Sequence, residues 1–215
     1  MYVPDHFRET QVAVLQAFVE RHPLATLVAM TAEGLTANHI PLHAQLRAGA
    51  GGLLRGHIAR ANSLWRELKG GAEVLAVFTG AEHYISPGAY PSKQQHGKVV
   101  PTWNYATVHV KGSIRFIDDE SWLREFVVSL TDVHERGRPN RWQVSDAPPD
   151  YIASMLRAIV GFEIEISSMV GKFKGSQNRS AEDRAGVRTT LGVEGLSADE
   201  IAELVPEAGD PKIRV

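Results

Sequence analysis

The chain has 215 residues, 43% of them hydrophobic and 22% charged, with a formal net charge of −2 and no cysteine. Globular averages of this kind exclude a collagen-like repeat, a coiled coil and a wholly disordered chain. The charge supplies no global field for a polyanion, and the missing thiols exclude disulfides, thiolate metal sites and cysteine nucleophiles together.

No apolar run approaches the roughly 20 residues that span a bilayer. The start, Met1-Tyr-Val-Pro-Asp-His6, lacks a basic-then-apolar leader pattern, so a cytoplasmic protein without a membrane partner is expected.

From Asp5 to Arg21, Phe7, Val12, Leu15, Phe18 and Val19 recur at helical spacing, with Asp5 placed to cap the helix before Glu9. His22-Pro23 ends it. Leu24–Met30 and Leu35–Leu42 read as strands joined by a turn at Gly34, and Pro41, which lacks an N–H, requires an edge or an end. Gly49–Gly52 predicts another turn before Leu53–Ile58, and Ala61–Leu68 a short helix. Glu73–Phe78 and His83–Ile85 read as separate strands with Thr79-Gly80 between them, and Gly88–Lys98 as a polar loop. Val99–Tyr105 and Val108–Ile117 follow as strands.

Trp122, Phe126, Val127, Leu130 and Val133 mark an amphipathic helix opened by Asp118-Asp-Glu120, where the macrodipole favours negative charge. A loop over 135–150, a helix over 151–159 and an alternating, half-exposed strand over 161–167 come next. Ser180–Asp183 and Ser197–Glu200 carry capping-box patterns. Many short strands at hairpin distances predict a mainly β (α+β) chain built on a closed antiparallel barrel. The predicted division is a single domain over 1–191 and a helical tail over 192–215.

The nine histidines do not make a metal site by spacing: His39 and His43 lie in a predicted strand and lack the helical zincin pattern, so no metal is expected. Walker, Gly-x-Gly-x-x-Gly and Gly-x-Ser-x-Gly motifs are all missing. At Gly56-His-Ile-Ala-Arg60-Ala-Asn62-Ser63 a strand runs into a helix. Either Arg60 and the helix N-terminus hold a phosphate, or Asn62 or Ser63 caps the helix and Arg60 is solvated. Tyr84, Tyr90 and Thr102–Tyr105 mix rings with amides, which suits a flat heteroaromatic ligand or, equally, a barrel core. Gly171–Arg179 gathers hydrogen-bond donors after a strand, the pattern of a solvated turn.

These segments together resemble the PaiB family of FMN-binding negative transcriptional regulators. The match runs through Met1-Tyr-Val-Pro4 with Phe7, His39-Ile-Pro-Leu42, Gly56–Asn62 with Trp65, Tyr84-Ile-Ser-Pro87 and Tyr90. It continues in Val100–Tyr105 with His109, Gly161-Phe-Glu-Ile164 and Gly171–Asn178, and extends to about Leu191. Ser63 departs from the family's usual proline after Asn62. The resemblance implies a flavin-binding split barrel related to pyridoxamine phosphate oxidase, a homodimer with FMN in clefts between subunits. It implies a phosphate held by Arg60 and Asn62, a cleft lined by His57, and Asn38, His39, Ile40 and Pro41 along the isoalloxazine edge. Thr102, Trp103, Asn104 and Tyr105 would complete the pocket, joined by Lys172, Lys174, Gln177 and Asn178. A flavin-dependent oxidoreductase or a haem-handling enzyme would use the same cleft, and no catalytic residue is named. For DNA the sequence offers only a short basic patch, Arg136, Arg138 and Arg141, without a helix-turn-helix.

Overall fold

The computed structural model describes residues 1–46 and 51–207. The chain divides into two compact units: Met1–His22, Val77–His109 and the segment from Met169 onward form the first, Pro23–Ala76 and Val110–Ser168 the second.

The N-terminus departs from the expected continuous helix. Asp5–Phe7 is a 3-10 turn, β1 (Arg8–Glu9) follows, and α1 is Val12–Arg21. Glu9 is the cause. Its buried carboxylate Oε1 accepts the N–H groups of Thr10 and Gln11 at 2.7 and 2.6 Å, and its backbone pairs with Gly171, so helix can begin only afterwards. Leu15, Phe18 and Val19 form the buried face of α1.

β2 (Leu24–Thr31) and β3 (Gly34–Pro41) form the expected hairpin, from Thr31↔Gly34 to Leu24↔Pro41. The two-residue turn brings the chain back through Gly34 at φ +110°, a conformation that glycine adopts without a Cβ penalty. β3 ends the sheet order, so Pro41 sits where its missing N–H costs no ladder bond. β4 (His43–Leu46) pairs with β5 (Gly52–Ala59), and part of the expected Gly49–Gly52 turn lies outside the described residues. α2 is only Leu64–Glu67, shorter than predicted.

β6 (Ala72–Ile85) is one 14-residue strand, uninterrupted at Thr79-Gly80. The expected loop after it contains α3 (Ser92–His96). β7 (Thr102–Ile117) is likewise one strand of 16 residues rather than two. α4 (Glu120–Glu135) opens at Asp119, whose side chain accepts the Trp122 N–H, and α5 is Pro149–Arg157. β8 (Ile159–Lys174) is longer and more buried than its alternation predicts, since Val160–Ile164 are all buried. α6 (Ala181–Val193) and α7 (Ala198–Leu204) begin at Ser180 and Ser197 as the capping patterns predict.

The strands form one antiparallel sheet ordered β3-β2-β6-β7-β8-β5-β4, with β1 on β8. In the first unit, Ile85, Tyr90, Val187, Leu191, Leu204 and Val205 share a buried cluster. In the second, Leu123, Ile152 and Leu156 tie α4 to α5. No described helix is long and apolar enough to cross a membrane.

Candidate functional site

Of the sequence-predicted residues, Asn38, His39, Ile40, Pro41, His57, Arg60 and Asn62 belong to the second unit. Asn62 Nδ2 donates to Asn38 Oδ1 at 2.8 Å, while Asn62 Oδ1 accepts the N–H of Leu64, the first residue of α2, at 3.0 Å. Both amides border a polar cavity of about 250 Å³ with Thr31, Thr36 and two carboxylates, Glu33 and Glu67. His39 and Pro41 are exposed, and Ile40 is buried. His57 faces the Phe126 ring at 6.0 Å, and burial pushes its imidazole pKa down, favouring the neutral form.

Arg60 is heavily engaged. Nη1 and Nη2 fork onto Asp118, Nη2 also donates to the Ile159 carbonyl at 3.0 Å and Nε to that of Arg157 at 2.7 Å. The Asp118 bond raises the Arg60 pKa, and the same bond lowers that of Asp118.

Thr102, Trp103, Asn104, Tyr105, Lys172, Lys174, Gln177 and Asn178 belong to the first unit, on and after the neighbouring strands β7 and β8. Asn104 is fully buried; its Nδ2 donates to Ser176 Oγ at 3.0 Å and to the Leu204 carbonyl at 3.2 Å. Lys174 Nζ donates to Thr102 Oγ1 and the Trp103 carbonyl, and lies 5.9 Å from the Phe7 ring centroid. Lys172 Nζ stands 5.3 Å from the Tyr105 ring and 5.8 Å from that of Tyr2. Trp103 is exposed and meets Tyr84 edge-on at 5.9 Å. Gln177 closes the turn after β8, accepting the Gly175 N–H at 2.7 Å and donating to the Phe173 carbonyl, and Asn178 is exposed.

Arg179, which the sequence reads as the end of a solvated donor-rich turn and leaves out of the site, holds its guanidinium 4.9 Å from the Tyr90 ring. Sequence reasoning also missed Tyr2, although the N-terminal motif names it. Glu163, in the segment whose alternation predicts a half-exposed strand, is buried and bridges Arg55 and Arg115. Of the three arginines in the expected basic patch, Arg138 and Arg141 are paired with Glu135 and Asp132. Among the described residues no group of His, Asp and Glu could hold a metal ion.

Residues 1–168 match a family profile described as "Putative FMN-binding domain". The chain belongs to that family. It is 30% identical over 208 residues to Protease synthase and sporulation protein PAI 2 of Bacillus subtilis, covering 96% of this chain and 97% of the relative. It is 34% identical over 250 residues to an uncharacterized protein of Emericella nidulans, covering 99% of both. Among solved structures, the FAD and Heme binding protein from Mycobacterium smegmatis aligns with a TM-score of 0.58 at 18% identity, over 83% of this chain and 79% of that one. The fold is the flavin-binding split barrel, and the PaiB resemblance holds.

The cofactor of the family is a flavin, FMN, which supplies a redox-active isoalloxazine ring and a phosphate-tipped chain. The residues of the first unit fit such a group. Tyr105 and Trp103 offer ring faces, and Lys172 and Lys174 on the adjacent strand offer positive charge.

Proposed function

We propose that this protein is an FMN-binding homodimer of the PaiB type, cytoplasmic, whose cellular role is negative control of transcription. The observation that carries the flavin part is the set of rings and cations on β7 and β8, because a flat ring with an anionic tail needs stacking surfaces and a positive anchor close together. The regulatory part is supported by the end-to-end similarity to the Bacillus relative, whose name ties it to protease synthesis and sporulation. With Arg138 and Arg141 already paired, the 136–141 loop is a poor DNA contact, and control is assigned to the flavin-loaded protein as a whole.

The dimer is supported by the outer face of the β2–β3 hairpin. Cross-strand pairs Leu24–Pro41, Thr26–His39 and Met30–Leu35 share that face, and Leu24, Met30 and Leu35 are more than half exposed. It carries no Asp, Glu, Lys or Arg and lies at the end of the sheet, a surface that a second copy can cover by two-fold closure.

The test is to purify the protein after expression with riboflavin, record its visible spectrum, identify the released ligand by mass spectrometry and weigh the particle by light scattering. FMN in near one-to-one ratio and a dimer that Leu35→Glu converts to monomer are expected. A colourless protein that takes up no FMN on titration refutes the flavin reading, and a wild-type monomer refutes the dimer. Promoter DNA bound no better than random DNA across salt concentrations refutes direct repression.

A further inference from the structure

We infer that the pocket between α1, α7, β7 and β8 of the first unit is a binding site for a small, uncharged, mainly apolar compound that carries one hydroxyl head. Its volume is about 250 Å³. A dry apolar cavity of roughly 150 Å³ already takes a benzene ring, so one ring and a short head group fit. Ala106 of β7 and Phe173 of β8 supply one side, and Ala13 and Ala17, four apart on α1, supply another; the small side chains leave the space open.

Strand alternation sets this pocket apart from the flavin face. Ala106 follows Tyr105, and Phe173 stands between Lys172 and Lys174, so both point to the opposite side of the sheet from those rings and cations. The pocket is also formed before any ligand arrives. The Phe18 ring lies 5.2 Å from that of Phe173 and 4.7 Å from that of His22, and it occupies the room left by Gly80, where a Cβ would come within 2.8 Å. Glu203, 7% exposed, is held by the Ala81 N–H and by His22. Walls fixed on several sides cannot swing in to fill the space.

Two of the lining residues are charged, Arg21 and Glu203, and they pair at 3.3 Å. That pair decides the class of ligand. A carboxylate would face Glu203 and an ammonium would face Arg21, each a like-charge contact beside an apolar wall. A hydroxyl accepts from one and donates to the other, and it brings no charge of its own. Arg21 has the bond to give: its side chain is 52% exposed, and the contact with Glu203 uses Nη1 alone among the described residues.

The experiment uses the full chain as purified, with labelled alanine methyls, and titrates three probes of one shape by NMR: benzyl alcohol, benzoate and benzylamine. Benzyl alcohol is expected to shift the methyls of Ala13, Ala17 and Ala106 with a dissociation constant of about 1 mM or below, within reach of so few atoms. Benzoate and benzylamine should bind at least about tenfold more weakly. Ala17→Leu fills the pocket from an exposed helical position with a good helix former, and should abolish the response at Ala106; Ala13→Leu takes its place should the first melt early. Arg21→Met leaves Glu203 as the charge at the mouth and should reverse the order, benzylamine binding more tightly than the alcohol. Added FMN should leave the alcohol titration unchanged.

Alanine methyls that respond to none of the three probes overturn the inference. So does a charged probe that binds the wild type as well as the alcohol, binding that survives both leucine variants, or displacement by FMN. Silence of the probes, together with a wild-type dimer that Ala17→Leu dissociates, also overturns it and assigns the pocket to a contact with a second copy of the chain.

Discussion

Arg60 and Asp118 close a two-pronged ion pair, Nη1 to Oδ2 at 2.9 Å and Nη2 to Oδ1 at 2.5 Å. The same guanidinium spans to the carbonyls of Arg157 and Ile159, joining the end of β5 to the α5–β8 junction. With the side chains 35% and 54% exposed, the ion pair itself is worth about 0.2–1 kcal/mol, and the carbonyl bonds contribute more. Arg60→Ala is therefore expected to cost about 1–3 kcal/mol in urea unfolding, and Asp118→Asn less than about 1 kcal/mol. Asp118 has a lowered folded pKa, so its contribution is present above its unfolded value of about 3.9 and lost as pH falls through the folded one. The Asp118→Asn difference should vanish in acid; a difference of equal size at pH 2 would contradict this account.

Glu163 predicts an asymmetry between its two arginines. Its carboxylate is 8% exposed, held by Arg55 Nε at 2.9 Å and Arg115 Nη2 at 2.6 Å, while the Arg115 side chain is largely in water. Deleting Arg115 leaves the acid paired with Arg55, so Arg115→Ala should cost under about 1 kcal/mol. Deleting Arg55 leaves a buried carboxylate with only a solvent-facing partner, and Arg55→Ala should cost about 2–3 kcal/mol. Equal losses measured by chemical denaturation would show that the two arginines are equivalent.

Local patterns carried much of this architecture. The α4 stripe with its acidic start, the Gly34 hairpin and the Ser197 capping box are each decided within a few residues, and each was readable. What was unreadable depends on partners distant in sequence. Glu163 alternates as a solvent-facing residue should, yet its partner Arg55 is 108 positions away. The ring and amide segments of the candidate site could be assigned as a ligand wall or as core. The structure divides them: Asn104 is core, holding Ser176 and Leu204, whereas Trp103 is exposed. Arg60 read as a free cation because Asp118 is 58 residues on.

Gly80 illustrates the same point and gives a third prediction. Thr79-Gly80 looks like punctuation between strands, but it lies inside β6. A Cβ at Gly80 would fall 2.8 Å from the Phe18 ring and overlap Glu203 Oε1, so close packing from α1 and α7 requires the glycine. Gly80→Ala should lower stability by about 1–3 kcal/mol through overpacking. An unchanged melting temperature would show that Phe18 and Glu203 yield freely.

Glu203 carries the last prediction. Its carboxylate, 7% exposed, accepts the Ala81 N–H at 2.8 Å and bonds His22 Nε2 at 2.9 Å and Arg21 Nη1 at 3.3 Å. Burial pushes the carboxyl pKa up, but the bonds from His22, the Ala81 N–H and Arg21 together outweigh it, leaving the pKa below the ordinary value. A lowered folded pKa means that the stabilisation is complete above the unfolded value of about 4.3 and disappears as pH falls through the folded one. The next residue is the anchor of α7: Leu204 is buried, and its carbonyl accepts from Asn104. Neutralising Glu203 should therefore loosen α7 before the rest of the first unit. Protection factors across 198–205, which correct for an intrinsic exchange rate that itself slows in acid, are expected to fall as pH drops from 5 to 3. Glu203→Gln should show faster exchange already at pH 7, with a stability loss of about 1–3 kcal/mol and a weaker response to acid. Exchange in α7 that follows only the global unfolding of the wild type and the variant alike would mean that Glu203 does not govern the docking of this helix.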